Sequence, residues 1–433
     1  MTFIHPGRQT RRDWLRNTAG LGLAAGLGGG AGFGSASGAE DTAPAKGGLR
    51  VGVIGVGNQG KGNMGRHAKN VVAVCEVDKT RLAAAAAAVE KASGKAPATF
   101  GDHRKMLEMK DLDAVVITTP DHWHALQTIH ACQAGKDVYC EKPLSLTIAE
   151  GRAMVAAARK HGRVVQTGSQ QRSDAKFRLA CELVRNGRIG KIKTVKVGIP
   201  GVNFKGPAVA DSDPPAELDY DTWLGPAPQR PYNAKRVHYL FRFFWDYSGG
   251  QLTNFGAHHL DIAQWGLGMD ESGPVSAEAV SARYHKDKWF EVPEFCEIKY
   301  EYAGGVTMLC GQGQKGGTTF EGTDGWIYVA RGKIEASKPE ILKEPLTDKD
   351  VRLYVSGNHH GDWLDCIKSR KNPICDVEIG HRSATVCHLG NIALRAGRKI
   401  TWDPAKEQIV GDTEAAAMVE RPYRAPWSLP REG

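Results

Sequence analysis

Between residues 49 and 172 the apolar positions fall into short unbroken runs separated by longer stretches of helical spacing. LRVGVI, NVVAVCEVD, DLDAVVITTP (residues 111–120), DVYCEKP and RVVQTGSQ hold runs too short for helices, rich in valine and closed by turn residues. Such runs read as strands buried on both faces. Between them, residues 80–92 are alanine-rich and helical, and residues 122–134 keep helical spacing up to Gly135, a C-cap glycine. Residues 148–160 predict another helix. Strand and helix in regular alternation predict an α/β chain with a parallel, doubly wound sheet.

Past residue 172 the period changes. IKTVKVGIP, VSAEAVSARYH, EFCEIKYEYAGGVTMLCGQ and GTTFEGTDGWIYVA predict strands, the third folding back at an Ala-Gly-Gly turn. HHGDWLDCIKSRK and HRSATVCHLGNIALRAG predict helices. A length of 433 residues suits two domains. The net charge of +9 carries no Lys/Arg block, so the sequence offers no nucleic-acid footprint. Nine scattered cysteines without CxxC spacing argue against a disulfide framework and a zinc ribbon. The pairs His258/His259 and His359/His360 stand in no metal-ligating motif, and no metal is expected.

The beginning of the chain adds a destination. TRRDWLR, containing Arg11 and Arg12, resembles a twin-arginine export signal, with Trp14 and Arg16 as mild departures. The apolar run 18–33 behind it is too short and glycine-rich for a membrane anchor. The expected organisation is a signal over 1–38, a linker over 39–48, a nucleotide domain over 49–172 and a second domain over 173–433. Cleavage after Ala36-Ser37-Gly38 or Ala43-Pro44-Ala45 is compatible with the small residues there. The resemblance implies passage through the twin-arginine machinery, already folded, to the periplasm.

VGVIGVGNQG carries GxGxxG on Gly55, Gly57 and Gly60 after a strand, with Asn58 and Gln59 inside the turn. The first glycine permits the turn, the second lets backbone approach a pyrophosphate, and the third lets helix pack on strand. Glu76 stands at the end of the next strand, where an acid accepts from a ribose diol and repels a 2′-phosphate. NAD is therefore favoured over NADP, a preference moderated by Lys79 and Arg81.

In TTPDHWHALQTIHACQAGKDVYCEKPLSL, a TP-x-x-x-H loop, a helix and GK-x-V-x-CEKP together resemble the Gfo/Idh/MocA oxidoreductases. The resemblance implies an N-terminal Rossmann domain followed by an α+β domain with a large open, mainly antiparallel sheet, whose outer face makes homo-oligomer contacts. It implies that Thr119, Pro120, His124 and Glu141 line the cofactor and that Lys142 is the catalytic lysine beside it. An ammonium there would stabilise alkoxide character. GGQLTNFGAHHLD resembles the family's second motif, making His258 the candidate base, its ordinary pKa suited to neutral pH. Asn254 stands where many members carry Asp. It can orient but cannot relay a proton, and His259 is the alternative histidine. Arg172, Arg242, Trp245, His259 and Asp261 are expected at the substrate.

The expected activity is NAD(P)-dependent oxidation of a sugar, sugar acid, cyclitol or glycoside. Outside the cytoplasm no pool reoxidises NADH, so the cofactor should be tightly bound and recycled. Alternatives are a redox-neutral glycosidase, epimerase or lyase of the same family, and a cofactor-loaded sugar-binding protein without turnover.

Overall fold

A computed structural model describes residues 48–202, 208–287 and 289–430. The expected leader, and the expected linker apart from Gly48, lie outside the described residues. The first sheet contains β1 (Val51–Ile54), β2 (Val71–Cys75), β3 (Ala98–Phe100), β4 (Ala114–Ile117), β5 (Asp137–Cys140) and β6 (Val165–Thr167). Their order is β3-β2-β1-β4-β5-β6, with every pair parallel. All residues of β1, β4 and β5 are buried, as the unbroken apolar runs require when helices cover both faces. The order reverses between β1 and β4. Ligands of doubly wound sheets bind at such a switch point, outside the carboxyl ends of the strands. The helix Ile148–Lys160 begins with a reciprocal cap: Glu150 N–H donates to Thr147 Oγ1, and Thr147 N–H donates to Glu150 Oε2, both at 3.2 Å.

The second sheet has nine strands: β7 (Ile192–Gly198), β8 (Ser276–Arg283), β9 (Phe295–Glu301), β10 (Thr307–Gly311), β11 (Gly317–Gly322), β12 (Trp326–Ala330), β13 (Lys333–Ala336), β14 (Ile400–Asp403) and β15 (Gln408–Val410). They lie in the order β13-β12-β11-β7-β10-β9-β8-β14-β15. Only β7 and β10 pair in parallel, so the sheet is open and mainly antiparallel, as expected. β9 shows the period-two logic: Cys296, Ile298 and Tyr300 are buried, while Glu297, Lys299 and Glu301 are partly exposed. The inner face packs on helices Ala175–Arg185, Gly256–Leu267 and Val377–Ala396.

Late parts of the chain return to the first sheet. Trp363, Cys366 and Ile367 of helix His359–Ser369 join the core formed by Val51, Val53, Val74 and Val116. Near the C-terminus, Arg421 Nε and Tyr423 OH donate to Glu150 Oε1 at 2.9 and 2.7 Å. All nine cysteines are buried and unbridged, behaving as small core residues. Among the described residues, no helix is long and apolar enough to cross a membrane.

Candidate active site

The chain leaves β1 through Gly55, whose φ of 83° is left-handed, and enters helix Asn58–His67. A Cβ on Gly60 would lie 2.1 Å from Gly55 O and 2.6 Å from Thr118 Oγ1, so only glycine lets the helix start against the turn. The Cβ position of Gly57 meets only the flexible end of Arg81, leaving its backbone open to a ligand. Glu76 follows β2 and turns back to the loop. Its Oε2 accepts from Val56 N–H at 3.0 Å, and its Oε1 from Val77 and Asp78 N–H at 2.8 and 3.2 Å. Burial raises its pKa, opposed by these donors and by Arg81. A side-chain-free turn at a helix N-terminus with a carboxylate at the end of β2 fits a pyrophosphate and a ribose diol. Thr119 Oγ1 donates to Gln127 Oε1 at 2.7 Å, and Pro120 opens helix Asp121–Gln133.

Glu141, beyond β5, accepts at Oε1 from Gln59 Nε2 at 3.2 Å and from buried Asn63 Nδ2 at 2.8 Å. These bonds tie the CEKP turn to the first turns of the glycine-loop helix. Lys142 Nζ donates to Asn254 O at 2.9 Å and to Asn254 Oδ1 at 3.0 Å. Asn254 Nδ2 in turn donates to Gln251 Oε1 at 3.1 Å, which fixes the amide with its oxygen toward the lysine. Burial lowers the Lys142 pKa to about 8. Glu141 and Asp121 oppose that shift, while Arg242 and Arg331 add to it.

His258 lies one turn beyond Asn254 on helix Gly256–Leu267, and its buried Nδ1 has no hydrogen-bond partner among the described residues. Burial, then Lys142 and Arg331, hold its pKa well below the ordinary value. This corrects the expectation of a base poised near neutral pH: the imidazole is neutral and resists protonation while these cations stand unneutralised. His124 is the opposite case. Its two ring nitrogens face the carbonyls of Pro143 at 2.8 Å and Thr119 at 2.9 Å, so both bonds form only when both nitrogens are protonated. Burial works against that charge, but the Cys140 sulfur, Asp121 and the Pro143 carbonyl carry its pKa up to about 10. His124 therefore holds the loop after β4 against the CEKP turn.

Two expected substrate contacts have another role. Arg172 and Asp261 are fully buried and paired: Arg172 Nε lies 2.9 Å from both Asp261 oxygens, and Nη2 lies 2.8 Å from Asp261 Oδ1 and from Asp270 Oδ1. Ser383 Oγ completes Asp261 at 2.6 Å. These bonds join Arg172 to helix Gly256–Leu267 and, through Ser383, to helix Val377–Ala396, so the pair braces the second domain. His259 is also enclosed. Its Nδ1 lies 3.4 Å from Gln171 Nε2, and burial lowers its pKa to about 4. Trp245 is half-buried under the Arg395 guanidinium at 5.7 Å. Arg242 stays partly exposed, its guanidinium 4.5 Å from the Phe241 ring centroid and 4.7 Å from that of Tyr239.

Sequence reasoning missed Asn63, Gln171 and Arg331. Arg331 follows β12, and its Nε donates to Gln171 Oε1 at 3.0 Å, while Gln171 Nε2 donates to the His258 carbonyl at 3.2 Å. It also missed Asp121, which is buried and accepts from Ser248 Oγ at 2.5 Å. Only Asn63 was within reach of a local signal, one turn past the glycine motif.

Residues 49–169 match the NAD-binding Rossmann fold of the Gfo/Idh/MocA oxidoreductase family, and residues 181–429 match its C-terminal alpha/beta domain. The uncharacterized oxidoreductase YrbE of Bacillus subtilis is 33% identical over 252 residues, covering 57% of this chain and 59% of that protein. Inositol 2-dehydrogenase of Salmonella typhimurium is 33% identical over 149 residues, covering 33% of this chain and 43% of the enzyme. The match thus spans less than half the length of that relative. Among solved structures, the WlbA dehydrogenase of Bordetella pertussis in complex with NADH and UDP-GlcNAcA shares the fold at a TM-score of 0.61 and 23% identity, over 82% of this chain and 99% of that one. The aldose-aldose oxidoreductase of Caulobacter crescentus does so at 0.60 and 22%, over 82% and 99%. With both domains matched in order, and the CEKP turn bonded to the glycine-loop helix through Glu141, the chain belongs to the Gfo/Idh/MocA oxidoreductase family.

Proposed function

We propose that this chain is an exported NAD-dependent oxidoreductase acting on a carbinol carbon of a sugar, sugar acid, cyclitol or glycoside, and that it retains its cofactor through turnover. The observation that carries this reading is Lys142 Nζ, held by both oxygens of Asn254 beside the nucleotide crevice. When bound, the nicotinamide supplies the hydride acceptor and donor. With its pKa lowered to about 8, Lys142 is ready to take a hydroxyl proton as the amine and to steady an alkoxide as the ammonium. Asn254 cannot carry a proton onward. It fixes the amine's direction, and Gln251 fixes Asn254. His258 Nδ1, buried and without a partner among the described residues, offers a second acceptor one turn beyond Asn254, though burial and the cations Lys142 and Arg331 keep its proton affinity low.

The inositol dehydrogenases among the relatives support the substrate class, and the twin-arginine motif supports export. Retention follows from the two together, because a freely released NADH would not be reoxidised outside the cytoplasm. The retained cofactor either oxidises one compound and reduces another, or returns the hydride to the same substrate. The test is to purify the exported protein without added nucleotide, release any ligand with acid and identify it by mass. About one NAD(H) per chain is expected, with hydride transfer lost in Lys142→Ala. Protein that arrives empty and binds neither NAD nor NADP overturns the proposal.

A further inference from the structure

We propose that residues 217–238 of the second domain form a clasp on the ribose end of the nucleotide site, with His238 as its positioning residue, and that this clasp sets how slowly NAD leaves. The inference rests on the oxidoreductase reading above and supplies the cofactor retention that reading requires. The clasp meets the chain at the three residues that follow Glu76. Lys79 N–H donates to Glu217 O at 2.9 Å, and Asp219 N–H donates to Val77 O at 3.0 Å. Asp78 and Leu218 therefore face each other in an antiparallel bridge. Val77 and Asp78 are also the residues whose N–H groups donate to Glu76 Oε1, at 2.8 and 3.2 Å. The bridge thus fixes the donors that aim the carboxylate.

His238 closes the contact from the far end of the clasp. Its Nε2 lies 3.1 Å from Asp78 Oδ2, and because a carboxylate only accepts, the imidazole donates. Asp78 also accepts from Arg81 N–H at 3.0 Å, capping helix Lys79–Ser93, and lies 3.6 Å from the Arg81 guanidinium. A Cβ on Gly57 would stand 2.9 Å from Arg81 Nη1, so that guanidinium lies against the glycine turn. Asp78 is thus tied to the ribose acid through its own N–H and to the pyrophosphate turn through Arg81. The clasp is braced within itself. Asp219 accepts from Thr222 N–H at 3.0 Å at the start of helix Tyr220–Leu224. Tyr220 stacks on Trp223 at 5.8 Å, and its hydroxyl donates to Pro231 O at 3.1 Å, as Arg236 Nη1 does at 2.7 Å. Leu218, Trp223 and Val237 are buried in one cluster, and Val77 packs on it. A loop held only by water opens at little cost. Opening this one breaks two backbone bonds and a charge-assisted one and pulls Val77 off the cluster. A dinucleotide held by Glu76 and the glycine turn leaves through such an opening, so the clasp acts on its off-rate.

The test loads the full-length protein with radiolabelled NAD and follows its release into excess unlabelled NAD. His238→Leu should release the label at least about tenfold faster than the native protein. His238→Gln keeps a side-chain N–H donor and should recover most of that difference. The native protein gives a second reading that needs no variant and decides alone where His238→Leu fails to fold. Hydrogen exchange at the Lys79 and Asp219 amides, followed by mass spectrometry of the peptides that carry them, should slow together by at least about tenfold when NAD is bound. Release from His238→Leu at the native rate overturns the inference and leaves the oxidoreductase standing. So does equally fast release from the leucine and glutamine variants, or exchange at these two amides that NAD does not change. Native protein that binds no NAD at all overturns the oxidoreductase reading itself, and the clasp with it.

Discussion

Placing a carboxylate where Asn254 now holds Lys142 tests how the site sets its lysine. In Asn254→Asp the new charge sits at the Oδ1 position, 3.0 Å from Nζ. With the dielectric constant of bulk water, a unit pair at that distance is worth about 1.4 kcal/mol, or about one pKa unit, and this is the floor. Carboxylate–cation neighbours in partly buried sites shift one another by about one to three units. Lys142, lowered to about 8 in the native site, should therefore rise to between about 9 and about 11. The favoured species is the ammonium, so the lysine keeps its proton to higher pH. Any limb of the pH–rate profile governed by Lys142 moves upward, whether catalysis uses the amine or the ammonium. Asn254→Leu, which removes one acceptor, should move it downward. Single-turnover hydride transfer on NAD-loaded protein gives the profile. Acylation of the lysine amine across pH, followed by mass spectrometry, gives the same constant without relying on activity. An unmoved constant in Asn254→Asp would refute the claim that this contact tunes the lysine.

Gly60→Ala drives a methyl into Gly55 O and Thr118 Oγ1, so NAD affinity should fall at least about tenfold by calorimetry while the second domain keeps its fold. Asp261→Asn strips the main counter-charge from buried Arg172 and should cost about 3 kcal/mol in urea unfolding; a change under about 0.5 kcal/mol would contradict the bracing role. His67, His259 and His359 have pKa values lowered to about 4, with burial the main cause. Below about pH 6.5 the unfolded chain binds more protons than the folded one, so stability drains away as pH falls toward about 4, at up to about 1.4 kcal/mol per pH unit for each histidine. Thermal melts across that window should show a falling Tm, and a flat series would contradict it.

The parallel sheet was legible because β1, β4 and β5 are buried on both faces, which forces uninterrupted apolar runs. β3 was not: its Ala98 and Thr99 are exposed, so no apolar run marks it, and pairing with β2 alone makes it a strand. β13 and β15 are short edge strands with the same weakness. Within the site, the spacing GxGxxG and the string CEKP carry local information, and Glu141 links the turn after β5 to the glycine-loop helix after β1. Asp261 reads as a ligand contact because it closes the GGQLTNFGAHHLD motif, and Arg172 is a charged residue at the end of the nucleotide domain. Their mutual distance is a tertiary fact, and the partner that neutralises each lies far away in sequence. Arg331 shows the converse: it follows an ordinary strand, and only the sheet order carries it to Gln171 and His258.

Helix His359–Ser369 has a consequence for synthesis. Ribosomes deliver the glycine loop roughly 300 residues before Trp363, which ends fully buried on the same core as Val51, Val53 and Val116. Until then a nascent chain presents part of that apolar face to water and to chaperones, and Glu150 still lacks Arg421 and Tyr423. The nucleotide half, although encoded first, is finished last. The final nucleotide half therefore cannot be completed piecemeal: its maturation waits until residues 359–423 have left the exit tunnel.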